Sequence, residues 1–168
     1  MAPSHTEITI REFESGDDAA FRRLNEEWIL RYFAMEPKDE EILADPCGKI
    51  LSRGGRIFFA VHRGEAVGCC ALLAARPGEL ELAKMAVTEK SRGNGVGRLL
   101  LARALEAARA AGATRVFLET NRQLAPAIAL YESVGFRHIP AERRAPSPYA
   151  RADVFMEILL DPTGEPRH

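Results

Sequence analysis

A short segment of the chain, Arg92-Gly93-Asn94-Gly95-Val96-Gly97, alternates glycines with other residues. It follows an apolar run that is typical of a strand and precedes a long amphipathic stretch that predicts a helix. The first turn of a helix has unpaired backbone N–H groups and about half a positive charge, and glycine lets an anion approach those groups closely. The segment therefore suits a pyrophosphate, although an ordinary tight connection could contain the same glycines.

The neighbouring residues exclude two well-known phosphate-binding loops. A dinucleotide-binding fingerprint requires glycine or alanine where this chain has Arg98, and a Walker loop requires lysine followed by serine or threonine, which is absent. The remaining pattern, Arg92-x-x-Gly95-x-Gly97, resembles the acyl-CoA pyrophosphate loop of the GNAT superfamily of N-acetyltransferases.

The segments on either side of this loop extend the resemblance. Residues 81–87 before it, and residues 118–121 and 129–136 after it, resemble the other cofactor segments of that family in the same order. The resemblance covers residues 8–160 and is most specific between residues 79 and 136. It implies an α/β (α+β) GNAT fold, in which a mixed, mostly antiparallel, twisted sheet of about six or seven strands is flanked by about four helices and splayed between the fourth and fifth strands.

The same resemblance implies the reaction. The acetyl group of acetyl-CoA would pass to a primary amine by direct attack in a ternary complex. None of the three cysteines falls in the matched segments, so no covalent acyl-enzyme is expected. The acceptor, a small molecule or a peptide amine, cannot be read from the sequence. A non-catalytic acyl-CoA-binding sensor or partner module of the same fold is the alternative, and homodimers are a tendency of the family.

Eleven residues are expected at the cofactor by resemblance. They are Met85, Ala86, Val87, Arg92, Gly93, Asn94, Gly95, Val96, Gly97, Arg98 and Asn121. The backbone N–H of Val87 would face the acetyl carbonyl as an oxyanion donor. Asn121 would bond the pantetheine arm, although its position at a strand end also suits a helix cap.

Acetylation of an amine needs a base, because an alkylamine is mostly protonated near neutral pH. Glu81 is the candidate: it lies six residues before Val87, the spacing at which one branch of the family places a glutamate base. Glu79 and a water molecule remain alternatives. Lys84 should point to the face opposite Met85 and is expected to be solvated.

A proton is also needed for the departing thiolate, and the resemblance gives this role to Tyr131. The family places the tyrosine of the pattern Leu-Tyr-Glu-x-x-Gly-Phe near the cofactor sulfur as a general acid. Tyr131 also shares a helix face with Leu124, Ala127 and Ile128, so packing in the core is the alternative.

The acceptor site is less clearly marked. By resemblance, Trp28, Tyr32 and Phe33 in the first helical region would shape it, and Tyr149 and Arg151 would line it from the loop before the last strand. Aromatic residues at this spacing also serve packing alone.

The hydrophobic periodicity predicts the elements that must position these residues. Strands are expected over residues 8–13, 56–61, 66–75, 79–87, 114–120, 136–139 and 153–160. Helices are expected over residues 19–33, 37–44, 94–111 and 124–133.

Composition limits the class of protein. The 168 residues fit a single domain, with a core over residues 7–160 and a polar tail over 161–168. The formal net charge of −1, with both signs interleaved, argues against nucleic acid as a partner. No apolar run approaches the roughly 20 residues of a membrane span, so a cytoplasmic protein without a membrane partner is expected. No cysteine lies at metal-ligand spacing, so no metal is expected, and the cysteines should be buried apolar side chains.

Overall fold

A computed structural model describes residues 7–161 as a seven-stranded sheet with helices on both faces. The strands are β1 (Ile8–Glu12), β2 (Arg56–His62), β3 (Glu65–Ala74), β4 (Glu79–Val87), β5 (Arg115–Thr120), β6 (Arg137–His138) and β7 (Val154–Leu159). The helices are α1 (Asp18–Tyr32), α2 (Pro37–Ala44), the single-turn α3 (Pro46–Lys49), α4 (Val96–Ala110) and α5 (Ala125–Val134). The predicted fold class is confirmed, and α3 is the one helix that the hydrophobic pattern did not predict.

The strand order β1-β2-β3-β4-β5-β7-β6 combines an antiparallel meander with a crossover. The hairpin between β2 and β3 turns at Arg63 and Gly64, which both have positive φ, as a two-residue turn that follows the strand twist requires. Helices α1 and α2 bury the core around Phe21 and Phe59 on one face of the sheet. Helix α4 buries its predicted apolar face, including Leu101, on the opposite face.

The sheet opens between β4 and β5, as predicted. These two strands are its one parallel pair, and they align at only three positions, the last being Glu81 opposite Phe117. Strand β4 continues six residues further to Val87, whereas β5 pairs with β7 along its whole length. The gap therefore lies directly beside the segment that the sequence connects with chemistry.

A bulge interrupts β4 just inside this gap. Cys69 of β3 lies opposite Ala86 and Ala71 lies opposite Ala83, so that Lys84 and Met85 together face a single residue of β3. Lys84 adopts φ +54°, a value that side chains other than glycine rarely take. The prediction of a solvated Lys84 is wrong: the bulge directs its side chain beneath α2, where it is 3% exposed.

Two further expectations concern positions away from the gap. Cys69 and Cys70 are buried as expected, whereas Cys47 is exposed because it lies in the outer turn of α3. Nearly all of the predicted polar tail, residues 162–168, lies outside the described residues. Within residues 7–161, no helix has the length and apolarity needed to cross a membrane.

Candidate active site

An elongated cleft of about 430 Å³ runs between the start of α4 and the exposed side of α5. Nine of the eleven expected cofactor residues line it, namely Met85, Ala86, Val87, Arg92, Gly93, Gly95, Val96, Gly97 and Arg98. Its volume lies within the range of roughly 300–1,000 Å³ that is usual for small-molecule sites. The segment that the sequence connects with a pyrophosphate thus forms one end of a cleft large enough to hold an organic ligand.

Two positions of this segment require glycine, each for a different structural reason. Gly95 is the N-cap of α4 and has φ +78°, which leaves the first N–H groups of the helix pointing away from the chain. A Cβ atom on Gly97 would lie 3.0 Å from the Leu130 side chain, so glycine lets α4 and α5 pack closely. Arg92 and Arg98 add positive charge at the same end, which suits a diphosphate.

Asn94 and Asn121 lie elsewhere. The Asn94 amide donates to the backbone oxygens of Ser91 and Arg92, at 3.3 Å each, and so stabilises the turn without lining the cleft. Asn121 lines a second cavity, where its amide donates to the Arg151 carbonyl oxygen at 2.7 Å and its side-chain oxygen accepts from the Gln123 N–H. These contacts hold the turn before α5, whose N-cap is Leu124 and has no side-chain cap bond, so Asn121 does not cap the helix.

This second cavity, the inner cavity, has a volume of about 110 Å³ and lies where β4 and β5 part. It adjoins the cleft, because Met85 and Tyr131, together with Trp28, Leu124 and Ala127, line both. Of the expected acceptor residues, Phe33, Tyr149 and Arg151 line the inner cavity but not the cleft, and Trp28 lines both. Tyr32 does not reach the inner cavity and lies on the cleft instead, because its side chain projects from the exposed end of α1.

Glu81 lines the inner cavity, and its carboxyl group forms no hydrogen bond or ion pair with another residue of the described chain. Burial, with a further contribution from the negative charge of Glu119, raises its pKa to about 7, although Lys84 and Lys38 act in the opposite direction. A carboxylate with this pKa is well matched to proton transfer near neutral pH. Glu79 lies outside the inner cavity and is 3.4 Å from Arg115 in an ion pair.

Tyr131 is 6% exposed, with its ring 5.9 Å from that of Phe136. Burial raises the pKa of its phenol, so that the hydroxyl stays protonated at any working pH. Within residues 7–161 the hydroxyl has no hydrogen-bond partner, although the ring lines both cavities. The ring is thus packed in the core, as the packing interpretation requires. The hydroxyl without a partner is compatible with the interpretation as a general acid.

The sequence did not indicate the buried ionic group beside the inner cavity, here called the Asp39 cluster (Glu36, Asp39, Lys84, Tyr149 and Arg151). Asp39 is fully buried. It accepts a hydrogen bond from Lys84 at 2.7 Å and two from Arg151 at 2.6 and 2.7 Å. Burial opposes ionisation of Asp39, but these bonds outweigh it and lower its pKa to about 2.

Aromatic side chains enclose the guanidinium group of Arg151. Its central carbon is 4.6 Å from the ring centre of Tyr149 and 5.5 Å from that of Trp28. Lys84 also donates to the Tyr149 hydroxyl at 3.1 Å. The predicted acceptor aromatics therefore hold a cation of the protein itself, and the loop before β7 is bound to α2 and β4.

The chain belongs to the Acetyltransferase (GNAT) family, whose model matches residues 18–136. It is 35% identical over 112 residues to the uncharacterized N-acetyltransferase YjgM of Escherichia coli, and the match spans 64% of each protein, slightly under two thirds. It is 30% identical to an uncharacterized N-acetyltransferase of Schizosaccharomyces pombe, over 82% of this chain and 86% of that protein.

Solved structures show the same fold. A GNAT acetyltransferase of Staphylococcus aureus superimposes with a TM-score of 0.82 at 19% identity, covering 89% of this chain and 97% of the other. The acetyltransferase YncA of Salmonella typhimurium, solved with its cofactor acetyl-CoA, gives a TM-score of 0.73 at 22% identity, with coverage of 96% and 98%.

Two glycines at opposite ends of α4 allow the cleft to be tested. We expect Gly95→Val to weaken acetyl-CoA binding at least about tenfold, because valine disfavours φ +78° and places a branched side chain at the anion site. Gly112→Val is the matched control: Gly112 has φ +80° but follows the other end of the helix. Calorimetric titration should show weaker binding for the first variant alone. Equal losses in both would mean that backbone strain, and not the loop, is responsible.

Proposed function

We propose that this chain is an N-acetyltransferase that transfers the acetyl group of acetyl-CoA to a primary amine by direct attack within a ternary complex. One observation carries the proposal: the cleft suited to a diphosphate ligand and the inner cavity containing Glu81 meet at Met85 and Tyr131. Donor and acceptor can therefore bind in adjoining cavities and react where the two join.

The residues of the cleft fit the donor. The N–H groups at the start of α4, together with Arg92 and Arg98, would bind its diphosphate, and Met85 to Val87 would lie along its pantetheine arm. Acetyl-CoA supplies an activated acetyl thioester. Beyond the last aligned pair, β4 has no strand partner on the β5 side, and the Val87 N–H would stabilise the developing negative charge on the carbonyl oxygen.

Two side chains would manage the protons. Glu81, as a carboxylate, accepts a proton from the acceptor's ammonium group, which frees the nitrogen lone pair to form the new N–C bond. Tyr131 donates its phenolic proton to the sulfur as the C–S bond breaks. The nitrogen loses its second proton to solvent as the tetrahedral intermediate collapses. The products are an amide, free CoA thiol and one released proton, and solvent restores both side chains to their starting protonation states.

Release of CoA thiol tests the proposal directly. Purified protein with acetyl-CoA should release thiol when primary amines are added, and mass spectrometry should find the acceptor heavier by one acetyl group. Tight acetyl-CoA binding without thiol release from any amine in a broad panel would instead support the alternative, a non-catalytic sensor of the same fold.

The rising limb of the pH–rate profile should report the ionisation of the Glu81 carboxyl. The base must be ionised, so the rate at saturating amine should rise with pH and level off above about pH 7, where the Glu81 carboxyl loses its proton. Glu81→Gln should remove this limb and lower kcat at least about tenfold, with acetyl-CoA affinity unchanged. A limb that persists in the variant would assign the base to water or to Glu79.

Thermal melting gives a control for that variant. The pKa of Glu81 is raised in the folded chain, so wild-type stability falls as pH rises from about 4.5 to 7 and the buried carboxyl ionises. Glutamine carries no such penalty. Glu81→Gln should therefore melt no lower than wild type at pH 8, and a lower melting temperature would show that the rate loss reflects damage to the fold.

Tyr131→Phe separates the catalytic and packing interpretations of Tyr131. The phenylalanine ring keeps the contact with Phe136, and only the hydroxyl is lost. We expect kcat to fall at least about tenfold, less than the full general-acid effect because a thiolate leaves readily, with melting temperature and acetyl-CoA affinity close to wild type. An unchanged kcat with reduced stability would identify Tyr131 as a core residue only.

A further inference from the structure

Four charged side chains line the inner cavity, and they differ in how they are paired. Lys84 and Arg151 are both bound to the buried carboxylate of Asp39, and Arg151 also lies 3.4 Å from Glu36. Two carboxylates thus neutralise two cations behind the cavity wall. Glu81 and Glu119, the other two, form no ion pair with any residue of the described chain.

Glu119 lies on the same side of the sheet as Glu81. Phe117 is aligned with Glu81 across the parallel pair, and Glu119 follows two residues later, so that both carboxylates project from one face. Two strand residues advance about 7 Å, which places the two Cα atoms roughly 8 Å apart across neighbouring strands. A second charged group of an acceptor could reach Glu119 while its amine lies at Glu81.

Glu119 also stands where the inner cavity meets open surface. It lines both the inner cavity and an outer cleft of about 640 Å³ between β5 and the loop before β7. The Ser147 hydroxyl of that loop donates to its carboxylate at 2.5 Å and so fixes its orientation. An acceptor that enters by the outer cleft must pass Glu119 before it reaches Glu81.

The outer cleft carries charges of both signs. Its wall contains four arginines, Arg76, Arg115, Arg143 and Arg144, and, besides Glu119, the carboxylates of Glu79 and Glu142. Glu79 pairs with Arg115, and Glu157 pairs with Arg115 and Arg143. The separation of Glu81 and Glu119, and not the charge of the outer cleft, therefore sets the length of a doubly charged acceptor.

Resting on the proposed function, we infer that Glu119 determines acceptor specificity by binding a second positive group, so that the substrate class is a short diamine and not a simple alkylamine or an amino acid. Burial makes this a strong position for an ion pair, because Glu119 is partly shielded from water and no cation among residues 7–161 pairs with it. A carboxylate at the same place on an acceptor would meet Glu119 with like charge.

Three acceptors with chains of similar length test the inference: butylamine, 1,4-diaminobutane and 4-aminobutanoate. With wild-type protein, kcat/KM should fall at least about tenfold from butylamine to 4-aminobutanoate, a pair with similar amine basicity. It should be highest for 1,4-diaminobutane. Part of the advantage of 1,4-diaminobutane comes from its own lower pKa and its two equivalent amines. The decisive quantity is therefore how a variant changes the ratio of kcat/KM for 1,4-diaminobutane over butylamine.

Glu119→Gln should lower the ratio of kcat/KM for 1,4-diaminobutane over butylamine at least about tenfold, mainly by raising KM for the diamine, and should remove the penalty on 4-aminobutanoate. The ratio is measured above about pH 8, where Glu81 is ionised in both proteins and its ionisation no longer distinguishes the acceptors. Glu142→Gln, which removes an exposed carboxylate of the same outer cleft, is the control and should leave the ratio unchanged.

The outcomes separate this inference from the proposed function. Butylamine acetylation with an unchanged ratio in Glu119→Gln, or 4-aminobutanoate used as well as butylamine by wild type, would overturn the inference and leave the transferase intact. No acetylation of any amine would overturn both. If Glu119→Gln fails to fold, Ser147→Ala, which removes the hydrogen bond that orients Glu119, should lower the ratio in the same direction, and an unchanged ratio there would overturn the inference.

Discussion

The parting of β4 and β5 after Glu81 is the constraint on which the rest of the site depends. Because β5 pairs fully with β7, the sheet stays continuous although its one parallel pair covers only three positions. A closed sheet would use the backbone groups of β4 in strand pairing, whereas the gap leaves those beyond Glu81 available to a ligand. Both cavities adjoin this gap and share Met85 and Tyr131, so a ligand in one can contact a ligand in the other.

The bulge in β4 determines the directions in which the neighbouring side chains Lys84 and Met85 point. It lets Met85 reach both cavities, while Lys84 turns beneath α2 at a positive φ. Such a backbone persists only where the surroundings hold it, and the bond from Lys84 to Asp39 supplies that support. A buried ion pair adds little net stability, but removal of one partner is costly, so the Asp39 cluster fixes the geometry of the cavity wall more than it stabilises the fold.

The fold and the cleft could be predicted from the sequence because both depend on local patterns. Alternating glycines before an amphipathic helix mark the cleft, because cap geometry and helical periodicity involve residues close in sequence. The Asp39 cluster joins residues 45 and 112 positions apart, and the sequence shows only an acidic residue in α2 and a lysine within an apolar strand. Tyr32 lies on the cleft and not on the inner cavity, which the sequence could not indicate for a related reason: periodicity gives a helix face, but not which of two adjoining cavities that face meets.

The two free carboxylates of the inner cavity affect each other. The negative charge of Glu119 contributes to the raised pKa of Glu81, so Glu81 is partly protonated near neutral pH before an acceptor binds. A positive group bound at Glu119 would cancel that charge and lower the pKa of Glu81, so that more of the Glu81 carboxyl would be ionised when the amine arrives. By linkage, ionised Glu81 must in turn strengthen binding of the same positive group. An acceptor with a second positive charge would then promote its own deprotonation, which a neutral alkylamine tail cannot do.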